Sequence, residues 1–229
     1  MKAETRDLII SEVEGWEYLK SLPVEWFGFT KEYEGKEIGD VYDILTYKDA
    51  NRRRKVTIYY HDETKEYKLR LAVGLTEFCK EDFITADIVG LEKVMRERFA
   101  DLLQRLAVFD EKNIDSIVLT KKIRTWAYLE KYPDNIAGFE LFIRPNEPFR
   151  SINGSYIVFD YSDFANESNF IIYYNIFRDE FFGEAKVRNI PEVNYLFDSH
   201  ELKELEEKLD LYLIPRLEEL RKKIIKETE

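Results

Sequence analysis

The chain is poor in the residues that catalysis and metal binding most often draw on. Its 229 residues include one cysteine, Cys79, and two histidines, His61 and His200. A lone cysteine forms no intrachain disulfide and is too little for a cysteine-based zinc site, and no His-x-x-x-His spacing exists to bind zinc from one helix. Neither a metal nor a cofactor is expected. The nine glycines form no G-x-G-x-x-G or P-loop pattern, which argues against a backbone cradle for nucleotide phosphate. No apolar run approaches the ~20 residues of a membrane span. The first ten residues hold only Leu8, Ile9 and Ile10 as a contiguous apolar stretch, which is not a secretory leader. The expectation is a cytoplasmic protein with no membrane partner, which suits an unpaired thiol.

Aromatic residues and acids are abundant. With 16 Phe, 15 Tyr and 3 Trp, and 45% hydrophobic residues, the chain has the means to bury a core. Asp and Glu number 46 against 35 Lys and Arg, a net charge of −11, shared as −5 over residues 1–110 and −6 over 111–229. Neither half is a basic module, so nucleic acid is an unlikely partner.

The same segment pattern occurs twice. From Leu8 and from Val118, at an offset of 110, Trp16 matches Trp126, Tyr18 Tyr128, Leu19 Leu129, Pro23 Pro133, Gly28 Gly138 and Phe29 Phe139. The offset then becomes 114, pairing Tyr42 with Tyr156, Tyr47 with Tyr161, Asp49 with Asp163, Tyr59-Tyr60 with Tyr173-Tyr174, Val73 with Val187 and Phe83 with Phe197. Near the end of each copy, apolar residues recur at intervals of 3, 4, 4, 4 and 3: Ile88, Leu91, Met95, Phe99, Leu103 and Leu106, then Leu202, Leu205, Leu209, Leu213, Leu217 and Leu220. Each series lines one face of an amphipathic helix, for which Thr85 and Ser199 are the expected N-caps.

These features predict an α+β fold made by internal tandem duplication of an α-β(4-5)-α unit, residues 1–110 and 111–229, with antiparallel sheets covered by helices on one face. The two units are expected to pack closely about a pseudo-two-fold axis, or else to join edge strands into one continuous sheet. Each copy opens with a helix, over residues 5–21 and 114–131, that turns Leu8 or Ile9, Val13, Trp16 and Leu19 inward and ends at Pro23 or Pro133. Strands are expected at 27–33, 41–47, 56–60 and 67–73, with counterparts at 137–143, 156–161, 170–174 and 181–187, and weaker ones at 78–83 and 193–197. The alternation of Tyr67, Leu69, Leu71 and Val73 with Lys68, Arg70 and Ala72 predicts one buried and one wetter sheet face. Pro215 is expected to kink or interrupt the last helix near Leu211.

Candidate chemistry is sparse. His61 reads as a turn residue, since the second copy has Asn175 there, and His200 as a helix-start residue; Cys79, matched to Val193, reads as a half-buried apolar residue. Arg52, Arg53, Arg54 and Lys55 form the one dense basic cluster, at a hairpin tip, where the second copy has Asn166-Glu167-Ser168-Asn169. Leu69 and Leu71 become Gly183 and Ala185, which removes bulk from one face and suggests a ligand pocket; Phe182, with Phe177 nearby, suggests an exposed aromatic patch. No residue stands out as catalytic. The reading these features favour is a non-enzymatic binding or inhibitory module, of the immunity-protein type, acting on another protein through an acidic, aromatic-containing surface, with the charge favouring a basic partner. Its contact candidates are Arg52, Arg53, Arg54, Phe177 and Phe182. The alternatives are a ligand receptor or carboxylate-based enzyme with a cleft between the copies, using Tyr60, Tyr174, Asp49 and Asp163, and a nucleic-acid binder using Arg52 to Lys55.

Overall fold

The structure, a computed structural model, describes residues 1–192 and 194–226. It is a mixed α+β fold with two separate antiparallel sheets and few helices, and the chain divides into two compact units, Met1–Asp110 and Glu111–Glu229. Among the described residues the sheets have six and seven strands, and no strand of one pairs with a strand of the other.

In the first unit, α1 (Ala3–Glu14) and α2 (Glu17–Ser21) precede β1 (Glu25–Trp26), β2 (Phe29–Ile38), β3 (Val41–Asp49), β4 (Arg54–His61), β5 (Glu66–Val73) and β6 (Thr76–Cys79), and α3 (Ile88–Ala107) closes it. The six strands lie in sequence order, each antiparallel to the next. In the second, α4 (Ser116–Thr120) and two short 3-10 turns lead into β7 (Asn135–Ile136), β8 (Phe139–Ile143), β9 (Phe149–Arg150), β10 (Ser155–Asp163), β11 (Ser168–Asn175), β12 (Glu180–Val187) and β13 (Ile190–Glu192), followed by α5 (Leu202–Lys226). Their order is β13-β12-β11-β10-β8-β7, with β9 also on β10.

Both sheets begin with a two-residue hairpin. Phe27 and Gly28 have φ of 52° and 85°, Ala137 and Gly138 of 51° and 84°. Two successive positive φ values make the type I′ turn, whose twist matches that of paired strands. Both sheets also carry a bulge in the strand that follows: Ile44 is the extra residue of β3 against β4, and Val158, 114 positions later, that of β10 against β11.

The helices that close each unit pack their apolar stripes on the sheet. Leu91, Met95, Phe99, Leu103 and Leu106 are buried along α3, and Leu205, Leu209, Leu213, Leu217 and Leu220 along α5. Phe99 meets Tyr47 and Trp26 edge-on, at ring centroid distances of 5.5 and 5.9 Å. Each unit also ties its early tryptophan to the closing helix: Trp16 Nε1 donates to Glu92 at 2.7 Å, and Trp126 Nε1 to Glu206 at 2.8 Å. A strand tyrosine reaches the proline carbonyl in each, Tyr47 to Pro23 at 2.6 Å and Tyr161 to Pro133 at 2.9 Å.

Several expectations need correction. The opening helices are broken. In the first unit Gly15 ends α1 and Trp16, at ψ 86°, leaves the helix so that its indole can reach Glu92. In the second, Lys122 adopts a left-handed conformation at φ 59° and only short turns form. Ile9, Trp16 and Leu19 are buried as expected, whereas Leu8 is 57% exposed. Thr85 does not cap α3: its backbone is paired with Tyr67, and Asp87 takes the cap, its carboxylate accepting from Gly90 N at 2.7 Å. Ser199 is likewise paired with Phe181, and its hydroxyl donates to Phe197 O. Of the weaker strands, the one expected at 78–83 runs instead as β6 and ends at Cys79; residues 194–197 form no strand, the nearest being β13, which ends at Glu192, and Val193 lies outside the described residues. Helix α5 runs through Pro215 without interruption. The carbonyl that Pro215 deprives of a donor belongs to Leu211, which is 63% exposed, so water can satisfy it.

The wetter sheet face does not extend across the whole of each sheet. β5 and β12 alternate as predicted, but Tyr42 to Tyr47 of β3 and all nine residues of β10 are buried, those of the second face included.

Candidate functional site

The face of each sheet away from its closing helix is where the two units differ most in chemistry. On the first, Asp43, Tyr59 and Lys68 lie in register across β3, β4 and β5, and Thr46, Thr57 and Arg70 in the next row. This set is internally paired. Thr46 and Thr57 share a hydrogen bond of 3.0 Å, Arg70 donates to Asp43, and the Arg70 guanidinium lies 5.1 Å from the Tyr59 ring centre. Burial raises Asp43 above the usual carboxylate range, and Arg70 opposes that shift.

At an offset of 114 the second unit places Ile157 at Asp43, Asp160 at Thr46, Ile171 at Thr57, Tyr173 at Tyr59, Phe182 at Lys68 and Glu184 at Arg70. The cation is gone. Asp160 is fully buried, and its Oδ1 accepts from Ser162 Oγ at 2.8 Å. Its Oδ2 has no hydrogen-bond partner, nor have the amide atoms of Asn169 on the neighbouring strand. Burial pushes Asp160 up to about 7, although Ser162 and the charge of Lys186 favour its ionised form. Phe182 stacks on Tyr173, with ring centres 5.1 Å apart.

Towards the β12 and β13 edge this face opens into a groove of about 440 Å³. Phe182, Pro191 and Tyr195 supply its apolar lining, and Glu180, Glu184 and Asp198 carboxylates stand among them. Glu180 pairs with Arg178 at 3.5 Å, and the Arg178 guanidinium lies 4.9 Å from the Phe182 ring centre. Glu192, also in the lining, is engaged by Arg216 and Lys223. Glu184 and Asp198 have no ion-pair partner within 4 Å among the described residues. Water reaches Glu184, yet the groove walls desolvate its carboxyl enough to raise its pKa, and burial raises Asp198 too. Around the groove in sequence, Tyr195 is 77% and Ile190 64% exposed.

Gly183 and Ala185 are among the residues that line this groove, but the bulk they lack is missing from the core side. Both face the core, where a Cβ on Gly183 would meet Phe197 Cδ2 at 3.0 Å, and the fully buried Phe197 fills the space against Phe170, 4.9 Å between ring centres. Phe182 lines the groove on the opposite face, as the alternation of a strand requires. Phe177 is 76% exposed at the hairpin tip, against Gly154, and is not part of that lining.

The basic cluster is largely committed within its own unit. Arg52 pairs with Asp49 at 3.0 Å and donates to Ala107 O, and Arg54 donates to Leu106 O, so the two guanidiniums satisfy the last carbonyls of α3. Arg53 is exposed at the turn, with φ 50°. Asp163, the counterpart of Asp49, pairs instead with Arg221 of α5 at 2.8 Å and accepts from Asn166. Tyr60 is buried against Tyr67, and Tyr174 donates to Asp179 at 2.7 Å. Tyr60 and Asp49 are not brought together: Asp49 is in register with Arg54, six residues along β4 from Tyr60, or roughly 20 Å at the rise of a strand. Tyr174 and Asp163 are separated in the same way along β11. His61 contacts Thr64 at 3.0 Å and His200 the Asp179 carbonyl at 2.8 Å. Among the described residues no three His, Cys, Asp or Glu side chains gather as a metal site, and no helix is long and apolar enough to cross a membrane.

Sequence reasoning missed Glu184 and Asp198. Glu184 carried a readable signal: at the offset of 114 it stands where the first unit has Arg70. The chain matches no protein-family model, no curated protein and no solved structure.

Proposed function

We propose that this protein is a non-enzymatic protein-binding module of the inhibitor or immunity type, and that the second unit presents its contact surface at the groove beside β12. The observation that carries the reading is an apolar, aromatic lining combined with two carboxylates, Glu184 and Asp198, that no described cation pairs. Desolvated charge without a partner is costly unless a complementary group arrives, and exposed aromatics beside it supply the buried area that association needs. The net charge of −11 adds a long-range bias towards a basic protein. The nucleic-acid alternative has less support, because Arg52 and Arg54 are spent on the end of α3. The ligand-cleft alternative relied on Tyr60, Tyr174, Asp49 and Asp163, which lie apart within each unit.

Tandem duplication belongs to the same proposal. It is supported by the matched Trp–Glu and Tyr–Pro hydrogen bonds, the matched type I′ hairpins and the bulges at Ile44 and Val158.

The test is a photo-crosslinking amino acid placed at Tyr195, with a control at Val89, which is 76% exposed on α3. In the native cell, a discrete protein adduct at position 195 and none at 89 is the expected result. Equal labelling at both positions, or none at either, would rule the reading out.

A further inference from the structure

The two units handle the same sheet position in opposite ways, and the contrast indicates what the groove takes. In the first unit, Arg70 lies over the Tyr59 ring and donates to Asp43, so the face supplies its own cation. In the second, the aromatic remains as Tyr173, now stacked on Phe182, while the position of Arg70 holds Glu184. Six ionisable residues other than tyrosine line the groove, Arg178, Glu180, Glu184, Lys186, Glu192 and Asp198. Glu180 and Glu192 are paired with Arg178, Arg216 and Lys223. Lys186 makes no ion pair within 4 Å among the described residues. Lys186, Arg178 and Lys208 act on Glu184 and Asp198 only from beyond ion-pair distance, so the lining, with four carboxylates against two cations, keeps an acidic excess in an apolar setting, where charge complementarity counts more than on an open surface. The aromatic lining already accepts a guanidinium, since Arg178 lies 4.9 Å from the centre of the Phe182 ring.

We propose that the groove receives a lysine or arginine side chain from an extended basic segment of a partner protein, with its cation held by Glu184 and Asp198 and its aliphatic stem along Phe182. A volume of about 440 Å³ is in the range of sites that enclose a side chain with its flanking backbone. The inference rests on the protein-binding reading and adds the chemistry of the partner.

The experiment uses the full chain and fluorescein-labelled short peptides of alternating valine and lysine, with glutamine or glutamate replacing lysine in two controls, read by fluorescence anisotropy. The lysine peptide is expected to bind at least ~10-fold tighter than the glutamine peptide, with an advantage that falls as salt rises. The double variant Glu184→Gln, Asp198→Asn keeps side-chain shape and removes only charge. It should abolish that advantage, whereas Glu97→Gln, on the exposed side of α3, should preserve it; thermal unfolding of each variant at the wild-type midpoint or above confirms folding. Equal binding of the lysine and glutamine peptides overturns the proposal, as does an unchanged advantage in the double variant, or spermidine binding more tightly than the peptide. A Tyr195 adduct in cells that persists unchanged in the double variant would sink the cation-binding inference alone. Absence of any adduct would sink the protein-binding reading itself.

Discussion

The first unit closes its second sheet face with an internal ion pair and a threonine pair, while the second closes the corresponding face with an unpaired buried acid and leaves carboxylates at a groove. The backbone hardly differs at these positions: hairpin, bulge and register recur at the same offsets. A handful of side-chain exchanges on one framework therefore decides whether a face is self-sufficient or calls for something else. A paired charge inside a protein is a structural element, and an unpaired one carries a free-energy cost that a partner or a proton can relieve.

The largest test of this contrast is Asp160→Asn. Asp160 is held at about 7 against an ordinary value of 3.8, so the folded state binds its proton more tightly than the unfolded chain does. Its contribution is fully favourable below about pH 4 and is lost as pH rises through about 7. The variant should match wild type near pH 4 and exceed its stability by roughly 4 kcal/mol at pH 8, measured by denaturant unfolding across that range. Thr46→Asp should transplant the same liability into the first unit. A pH-independent difference would show that Asp160 is not ionising in a dry site.

Next in size is the turn glycine. Gly28→Ala and Gly138→Ala both force a side chain into a left-handed conformation, and each new Cβ meets a guanidinium: at Gly28 that of Arg52, at 3.1 Å, and at Gly138, in hard overlap, that of Arg221, which is held by Asp163 and by Ala137 O. The expected loss is roughly 2–3 kcal/mol for Gly138→Ala and about 1 for Gly28→Ala, read as thermal midpoints. Equal losses would mean that Arg221 swings aside freely.

Trp16→Phe and Trp126→Phe should then cost about the same as each other, roughly 1–2 kcal/mol, since each removes one indole hydrogen bond to a carboxylate. Unequal losses would weaken the view of the units as copies. The smallest effect is expected from Arg52→Ala and Arg54→Ala, about 0.5–1 kcal/mol each for the carbonyls at the end of α3. If these two variants instead abolished binding to a nucleic acid while leaving the melting curve alone, the basic cluster would be a contact surface after all.

Much of the fold was legible because its signals are local. The six-residue apolar stripes of α3 and α5 and the alternation along β5 and β12 come from periodicities of 3.6 and 2, which each segment carries by itself. The groove was only partly legible: Phe182 was marked as part of an aromatic patch with Phe177, which does not line the groove, and the bulk lost at Gly183 points to the other face, where Phe197 fills it. Asp198 offered no signal, because its part in the groove depends on how the segment after β13 returns towards β12.

Composition and pattern alone determined the α+β class of fold, the central strands and the two closing helices. The tertiary structure decided which distant pairings those side chains make: that Trp16 leaves its helix for Glu92, that Asp163 is paired by Arg221, and that Glu184 has no ion-pair partner within 4 Å among the described residues. The reason is one of range. Periodicity acts over a few residues, whereas desolvation and ion pairing depend on groups brought together from 58 or 76 positions away, and no window of the sequence contains both partners.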